Sequence, residues 1–543
     1  MAEKQPIYVL PENIQRMIGR DAQRNNILAA RLVADAIKTT LGPKGMDKML
    51  VDSIGDITVT NDGVTILDEM EIEHPAAKMM VEIAKTQEDE VGDGTTTAVI
   101  IAGKLLENAE KLLDEKIHPT VIARGYRLGA KRAHELSKEI SYKISPQQKD
   151  LLKQIVITAM TGKGAEAAKE KLSQIVVEAV LQVMEESDEG IKINRDNIKL
   201  EKKKGEGIED TKLISGIVLD KERVHSDMPS QIKDAKIALL DAALELKSPE
   251  TDTKIQVTSP EQLQAFIDQE EKMLKDMVNK IKEVEANVVL CQKGIDDVAQ
   301  YYLTKENIFA ARRIKKSDME LLAKATGSKI VSNLNELSKE DLGHADVVKE
   351  IKEGEEGLTY VMGCRNPKAL TILIRGGTEH VIDELERAIK DGIGDVGVAL
   401  EKGYIVAGGG AFEIELARRL RAYGQGIRGR EQLAINAFAD SLEVIPRTLA
   451  ENAGLDPIDT LTELKARHDK NETTTGLDTS VGTSRGGEIT DALKQGIVEP
   501  LEIKNQAIKS ASEVTMMILR IDDVIASSKT NQASQVPEMP PGY

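Results

Sequence analysis

Along the first quarter of the chain, apolar residues recur at helical spacing, interrupted by short alternating runs. The spacing predicts helices over Asn25–Thr40 and Ala76–Glu90, with a strand pair, Met49–Val51 and Ile57–Thr60, between them. A long helix is expected from Thr95, and His118-Pro119-Thr120 marks a break, with Pro119 suited to the first position of a helix covering Val121–Ile140. Gln148–Met160 and Glu166–Met184 are again helical in pattern. From Ile214–Leu219 the texture changes. Strand-like runs at Ala235–Leu240, Asn287–Leu290, Ile308–Ala311 and Lys329–Ser332 alternate with helical patterns such as Asp296–Leu303 and Lys316–Ala325, which is an α/β arrangement. After a strand at Thr371–Ile374 the chain returns to helix, first in the amphipathic Glu379–Ile389 and then through Glu413–Leu464 and Asn505–Ser527.

Within the mixed section, Lys247–Val257 is polar and irregular, and Ser259-Pro260-Glu261-Gln262 supplies an N-cap, a first-turn proline and a glutamine at the third position. The helix that starts there carries Leu263, Phe266, Ile267, Leu274, Met277, Val278 and Ile281 on one stripe, a pattern that by itself reads as a helix facing a core. The order helical, mixed, helical suggests one domain built from both chain ends with another inserted between them. The 543 residues exceed what one hydrophobic core supports, roughly 250–300, so two or three domains are expected.

Composition narrows the function. A net charge of −18 excludes a general basic surface for nucleic acid and disfavours anionic membranes. Two cysteines, Cys291 and Cys364, make no disulfide framework and suit a reducing compartment. The longest apolar stretch, around Ala98–Ala102, is far shorter than the ~20 residues that span a bilayer, and the first residues show no apolar leader, so a cytoplasmic protein is expected. The polar, proline-containing end, 526–543, reads as a flexible tail.

Three glycine-rich segments could carry chemistry. Thr40-Leu41-Gly42-Pro43-Lys44-Gly45 follows a helix and precedes a strand, and is either a plain turn or a place where backbone N–H groups approach an anion. Gly92-Asp93-Gly94-Thr95-Thr96-Thr97 sits where a helix begins, a position suited to phosphate; Asp93 is either its N-cap or a Mg²⁺ ligand. Gly408-Gly409-Gly410, before the Glu413–Ala422 helix, is the third glycine-rich loop and by itself reads as a turn or helix entry. Thr60-Asn61-Asp62-Gly63 has an ordinary turn sequence, and Asp391, at the end of the Glu379–Ile389 helix, is by itself a solvated carboxylate. No Walker pattern, zinc-ligand spacing or G-x-S-x-G elbow occurs.

Taken together, Lys38–Leu50 (KTTLGPKGMDKML), Val59–Pro75 (VTNDGVTILDEMEIEHP) and Gln87–Thr96 (QEDEVGDGTT) resemble the three signature segments of the group II chaperonins. Gly162-Lys163-Gly164, Arg375–His380, Val406–Gly410, Pro446–Asp456 and Gly496–Pro500 extend the resemblance over nearly the whole length. The resemblance implies a multi-domain α+β chaperonin fold. Its parts would be an equatorial ATPase domain from residues 1–147 and 405–525, an intermediate domain from 148–216 and 370–404, and an apical domain, 217–369, with a lid protrusion near 246–280. It also implies ATP and Mg²⁺ as cofactors, unfolded or partly folded client proteins, and identical or homologous subunits in a two-ring oligomer.

By matching positions, Thr40, Leu41, Gly42 and Pro43 should line the nucleotide, Asp93 should ligate Mg²⁺, and Gly94, Thr95, Thr96 and Thr97 should hold phosphates. Gly409, Leu477 and Glu499 should frame ribose and adenine, Lys163 should sense the γ-phosphate, and Asp62 and Asp391 should be the catalytic carboxylates. Lys390, Gly392 and Gly394 depart from the pattern of the resemblance, and the two glycines are expected to weaken the helix there. The resemblance shifts the Ser259 helix from a core helix to a lid with an exposed apolar stripe. Two rival readings are a stand-alone small-molecule ATPase or kinase-like enzyme, which needs a compact acceptor pocket, and a ring scaffold that binds ATP without turnover.

Overall fold

The computed structural model describes residues 14–188, 190–246, 259–353, 356–364, 368–480 and 487–527. The chain divides into two compact units, Met1–Lys143 with Tyr404–Tyr543, and Ile144–Gly403.

The first unit is mainly helical, and its centre is the Thr95–Asp114 helix. Ala98, Val99, Ile101, Ala102, Leu105 and Leu106 of that helix are all buried, and a helix apolar all round must be enclosed by others. Arg20–Lys38, Pro75–Val91, Glu431–Leu442 and Leu501–Leu519 pack around it. Tyr404–Ala407 is the middle strand of a small antiparallel sheet between Val498–Pro500 and Tyr142–Lys143. The helical reading of Asn505–Ser527 is corrected. The helix stops at Leu519, and Asp523–Ser527 is a strand antiparallel to Ile14–Ile18, so the pairing ties the two ends of the described chain together. Ala526 and Ser527, expected to begin a tail, belong to this strand; 528–543 lie outside the described residues.

The second unit contains a seven-stranded sheet. Its path runs Phe309–Ala311, Val288–Cys291, Gln231–Leu240, Gly343–Glu353, Glu356–Met362, Gly216–Leu219, with Ile330–Val331 also beside Gln231–Leu240. Both faces are covered, which explains the near-continuous apolar runs. Ala235, Ile237 and Leu239 turn to the core that contains Leu322 of the Lys316–Thr326 helix. Ala238 and Leu240 turn to the core that contains Leu274, Val278 and Ile281 of Pro260–Glu283 and Leu303 of Asp297–Lys305. This is the two-residue period of a strand in a sheet clad on both sides. A separate three-stranded sheet places Leu370–Gly376 between Ile198–Lys204 and Lys212–Ile214, and the long Glu379–Lys402 helix follows it. Among the described residues, no helix is long and apolar enough to cross a membrane.

Candidate nucleotide site and its supporting residues

In the first unit, Gly92, Asp93 and Gly94 join the Pro75–Val91 helix to the Thr95–Asp114 helix. Gly92 (φ +85°) closes the first helix and Gly94 (φ +80°) caps the second, both in the left-handed region that glycine enters without steric cost. Asp93 is therefore not the cap. Gly94 offers no side chain to the first-turn N–H groups of the Thr95 helix, which leaves them and the hydroxyls of Thr95, Thr96 and Thr97 at the positive end of the helix dipole. The loop is fixed from behind by the buried Gln87, whose amide donates to the carbonyls of Asp93 (2.8 Å) and Ile503 (3.1 Å). A Cβ on Gly94 would lie 2.7 Å from Ile503 Cγ2, so a side chain there would collide with Ile503.

Asp62 caps the Gly63–Glu69 helix, accepting from the Thr65 amide (3.0 Å) and hydroxyl (2.6 Å), both through Oδ2. A Cβ on Gly63 would stand 2.6 Å from Thr96 Oγ1 and 3.1 Å from Thr96 N. The turn that reads as ordinary thus sets Asp62 beside the open N-terminus of the Thr95 helix. The Thr40–Gly45 loop is held by the Val444–Asn452 helix: Asn452 donates to the carbonyls of Lys38 (3.2 Å) and Leu41 (2.9 Å), and Leu449 packs over Gly42 (φ +81°). Thr40 turns its hydroxyl inward to the Ile37 carbonyl (2.8 Å), while Leu41 and Pro43 are half-buried.

Pro446 of that same helix packs against Gly410, where an added Cβ would be 2.6 Å away. The neighbouring Gly409 (φ +61°) accepts from the Leu477 amide at 2.8 Å, and Leu477 lies on the Thr475–Asp478 strand. Glu499, opposite Val406 on the next strand, rests Oε1 over Gly408, 2.9 Å from where a Cβ would stand. Gly409, Leu477 and Glu499 thus meet around the Gly408–Gly410 loop.

Sequence reasoning missed the groups behind them. Lys504 pairs with Glu499 Oε2 (2.7 Å) and Glu413 Oε1 (2.9 Å). Burial works against the Lys504 charge, but Glu413 and Glu499 more than offset it and hold the ammonium well above its ordinary value. Burial pushes the Glu499 carboxyl up, Lys504 pulls it back, and Glu413 and Asp93 add to the upward push. For Gln87 a signal existed: it occupies the buried stripe of its helix with Met80, Ile83 and Ala84, where a polar residue calls for an internal partner.

In the second unit, Lys163 follows the Lys149–Met160 helix and pairs with Asp391 Oδ2 at 2.5 Å, their side chains 22% and 16% exposed. The placement of Asp391 at a helix end is corrected. The helix runs unbroken from Glu379 to Lys402, and Gly392 is the reason it fits: a Cβ there would be 2.9 Å from Val156 Cγ1 and 3.4 Å from Met160 Cε. The propensity cost of a helical glycine, about 1 kcal/mol, is offset by close packing of two helices. Lys390 faces away and pairs with Glu386 (2.8 Å). In the predicted lid helix, Ser259 caps through the Gln262 amide (3.3 Å), and the stripe divides. Leu263, Phe266 and Ile267 are exposed, whereas Leu274, Val278 and Ile281 are buried. Residues 247–258 of the lid segment lie outside the described residues.

The family model for the TCP-1/cpn60 chaperonin family matches residues 33–529. The thermosome subunit of Methanopyrus kandleri is 60% identical over 526 residues, 97% of this chain and 96% of the relative. The thermosome subunit beta of Thermococcus kodakarensis is 59% identical over 525 residues, 97% of this chain and 95% of the relative. Among solved structures, the open state monomer of a group II chaperonin from Methanococcoides burtonii matches with a TM-score of 0.60 at 46% identity, covering 79% of this chain and 100% of that one.

Proposed function

The chain belongs to the TCP-1/cpn60 chaperonin family as a group II chaperonin subunit, and we propose that it hydrolyses ATP with Mg²⁺ to drive enclosure of unfolded or partly folded proteins in a double-ring chamber in the cytoplasm. The observation that carries the ATPase reading is the uncapped N-terminus of the Thr95 helix, framed by Gly92-Asp93-Gly94 and flanked by Asp62. Gly94 to Thr97 offer amides and hydroxyls to phosphate, and Asp93, free of any capping role, is the carboxylate to hold the metal. Mg²⁺ when bound would supply charge neutralisation at the phosphates.

Asp62 and Asp391 are the residues assigned to orient and deprotonate the attacking water, and Lys163 to sense the γ-phosphate. The Lys163–Asp391 ion pair supports a linked role, since Lys163 turning to phosphate would remove one partner from the Asp391 carboxylate. On this reading the first unit is the equatorial domain, and the second holds the intermediate segments 148–216 and 370–404 and the apical segment 217–369 with its lid. Assembly with further subunits is supported by the hairpin Lys48–Val51 and Ile57–Thr60, which stands as a two-stranded sheet with Met49, Val51, Ile54 and Ile57 exposed. Such a ribbon is stabilised when another copy covers it.

Asp93→Ala tests the assignment: Mg-ATP turnover should be lost while electron micrographs still show assembled rings. Parental turnover in that variant would overturn the phosphate site.

A further inference from the structure

We propose that Lys504 and Glu413 form a buried positioning pair that fixes the Glu499 carboxylate for the ribose hydroxyls, so that sugar selectivity is set in part by two residues that do not touch the nucleotide. The inference rests on the reading of Glu499 as a nucleoside-facing group. Three elements meet at this point: the first turn of the Ala411–Gln425 helix, the Val498–Pro500 strand and the first turn of the Leu501–Leu519 helix. Lys504 is 6% exposed, and an ammonium so deep is tolerated only when paired. It faces two carboxylates, so the triad carries one net negative charge.

The surroundings decide where that charge resides. Glu413 is 1% exposed, Lys504 is its ion-pair partner at 2.9 Å, and neither of its buried carboxylate oxygens has a further hydrogen bond among the described residues. Glu499 is 27% exposed and keeps an open edge. Lys504 is shared between the two carboxylates, 2.7 Å from Glu499 and 2.9 Å from Glu413, so the deeply buried Glu413, which depends on it, keeps the ammonium from neutralising Glu499 alone. The geometry also removes rotational freedom: Oε2 is bound to Lys504 at 2.7 Å while Oε1 lies over Gly408, where a Cβ would meet it at 2.9 Å. A carboxylate pinned in this way does not have to be ordered when the sugar binds.

Glu413→Gln leaves Lys504 to Glu499 alone, which cancels the acceptor's charge. The double variant Glu413→Gln with Lys504→Met removes the anchor while leaving the net charge of the site unchanged, a replacement that stability often tolerates. The experiment measures equilibrium binding of ADP and of 2′,3′-dideoxy-ADP to the assembled full chain, with melting temperature and ring assembly as folding controls. The parent and Glu499→Gln are measured alongside both variants. Charged hydrogen bonds contribute enough that the parent should prefer ADP about tenfold or more, and Glu499→Gln should abolish the preference. Glu413→Gln and the double variant should each lose most of it while binding dideoxy-ADP as the parent does, an outcome that a purely structural ion network would not give. If either folded variant keeps the parental preference while Glu499→Gln loses it, the positioning role is overturned and the site reading stands. If Glu499→Gln keeps the preference, the nucleoside role of Glu499 falls, and the inference with it.

Discussion

Glu415, on the Ala411–Gln425 helix, is fully buried and accepts from Arg418 (2.8 Å), Arg419 (2.7 Å) and His468, whose ring also reaches the Thr475 carbonyl (2.8 Å). Burial alone would push its carboxyl up, but these three partners bring it down to about 2, from an ordinary 4.5. A carboxyl depressed on folding stabilises the native state above its ordinary value and loses that contribution as pH falls from about 4.5 toward about 2. Glu415→Gln should therefore melt below the parent at pH 7, by about 1–3 kcal/mol because buried donors are left unsatisfied, and the gap should close in acid. An equal gap at pH 7 and pH 3 would show that the lost ion pairs contribute nothing to the acid limb. His468 and Thr475 also tie this network to the strand that carries Leu477, so packing here and the proposed nucleotide site are linked through one short segment.

The Pro260–Glu283 helix is a single element with two environments. Leu274, Val278 and Ile281 sit in a core with Leu240 and Val289, whereas Leu263, Phe266 and Ile267, about two to three turns before Leu274, stay exposed. Leu274→Ala should cost about 2–5 kcal/mol, as a cavity in a packed core does. The pair Phe266→Glu and Ile267→Glu should leave stability within about 0.5 kcal/mol, because those side chains are exposed and belong to no buried cluster among the described residues. The same pair should weaken protease protection of an enclosed client if this stripe seals the chamber. Equal loss of melting temperature in both sets would mean that the exposed half is core after all. The stripe itself is legible in the sequence, and so are the cap and proline that start it. Periodicity reports which side of a helix is apolar; where along its length a partner ends depends on the rest of the fold.

For the whole molecule, the proposed chemistry draws on both units. Asp62, Asp93 and the Thr95 helix belong to the first, Asp391 and Lys163 to the second. Asp391→Ala should bind nucleotide as the parent does, since the phosphate loops lie in the other unit, and should lose turnover by about 10²–10⁴-fold, the usual effect of removing a water-activating group. Binding lost together with turnover, or turnover reduced less than tenfold, would demote Asp391 to a structural role. The sequence by itself determined whatever is local. Helix periods, the cap at Ser259, the strand pair around residue 54 and the glycine loops at 42, 92–94 and 408–410 follow from spacing and backbone freedom, and signature segments matched in order identified the family. Only the tertiary structure decided that Asp93 is no cap, that Gly392 is a packing site in an unbroken helix, and that Asp523–Ser527 pairs with the strand near the start. It alone supplied Gln87 with Ile503, and Lys504 with Glu413. These partners lie 416 and 91 positions apart along the chain, and a buried polar group's need for a partner does not say which distant residue will meet it.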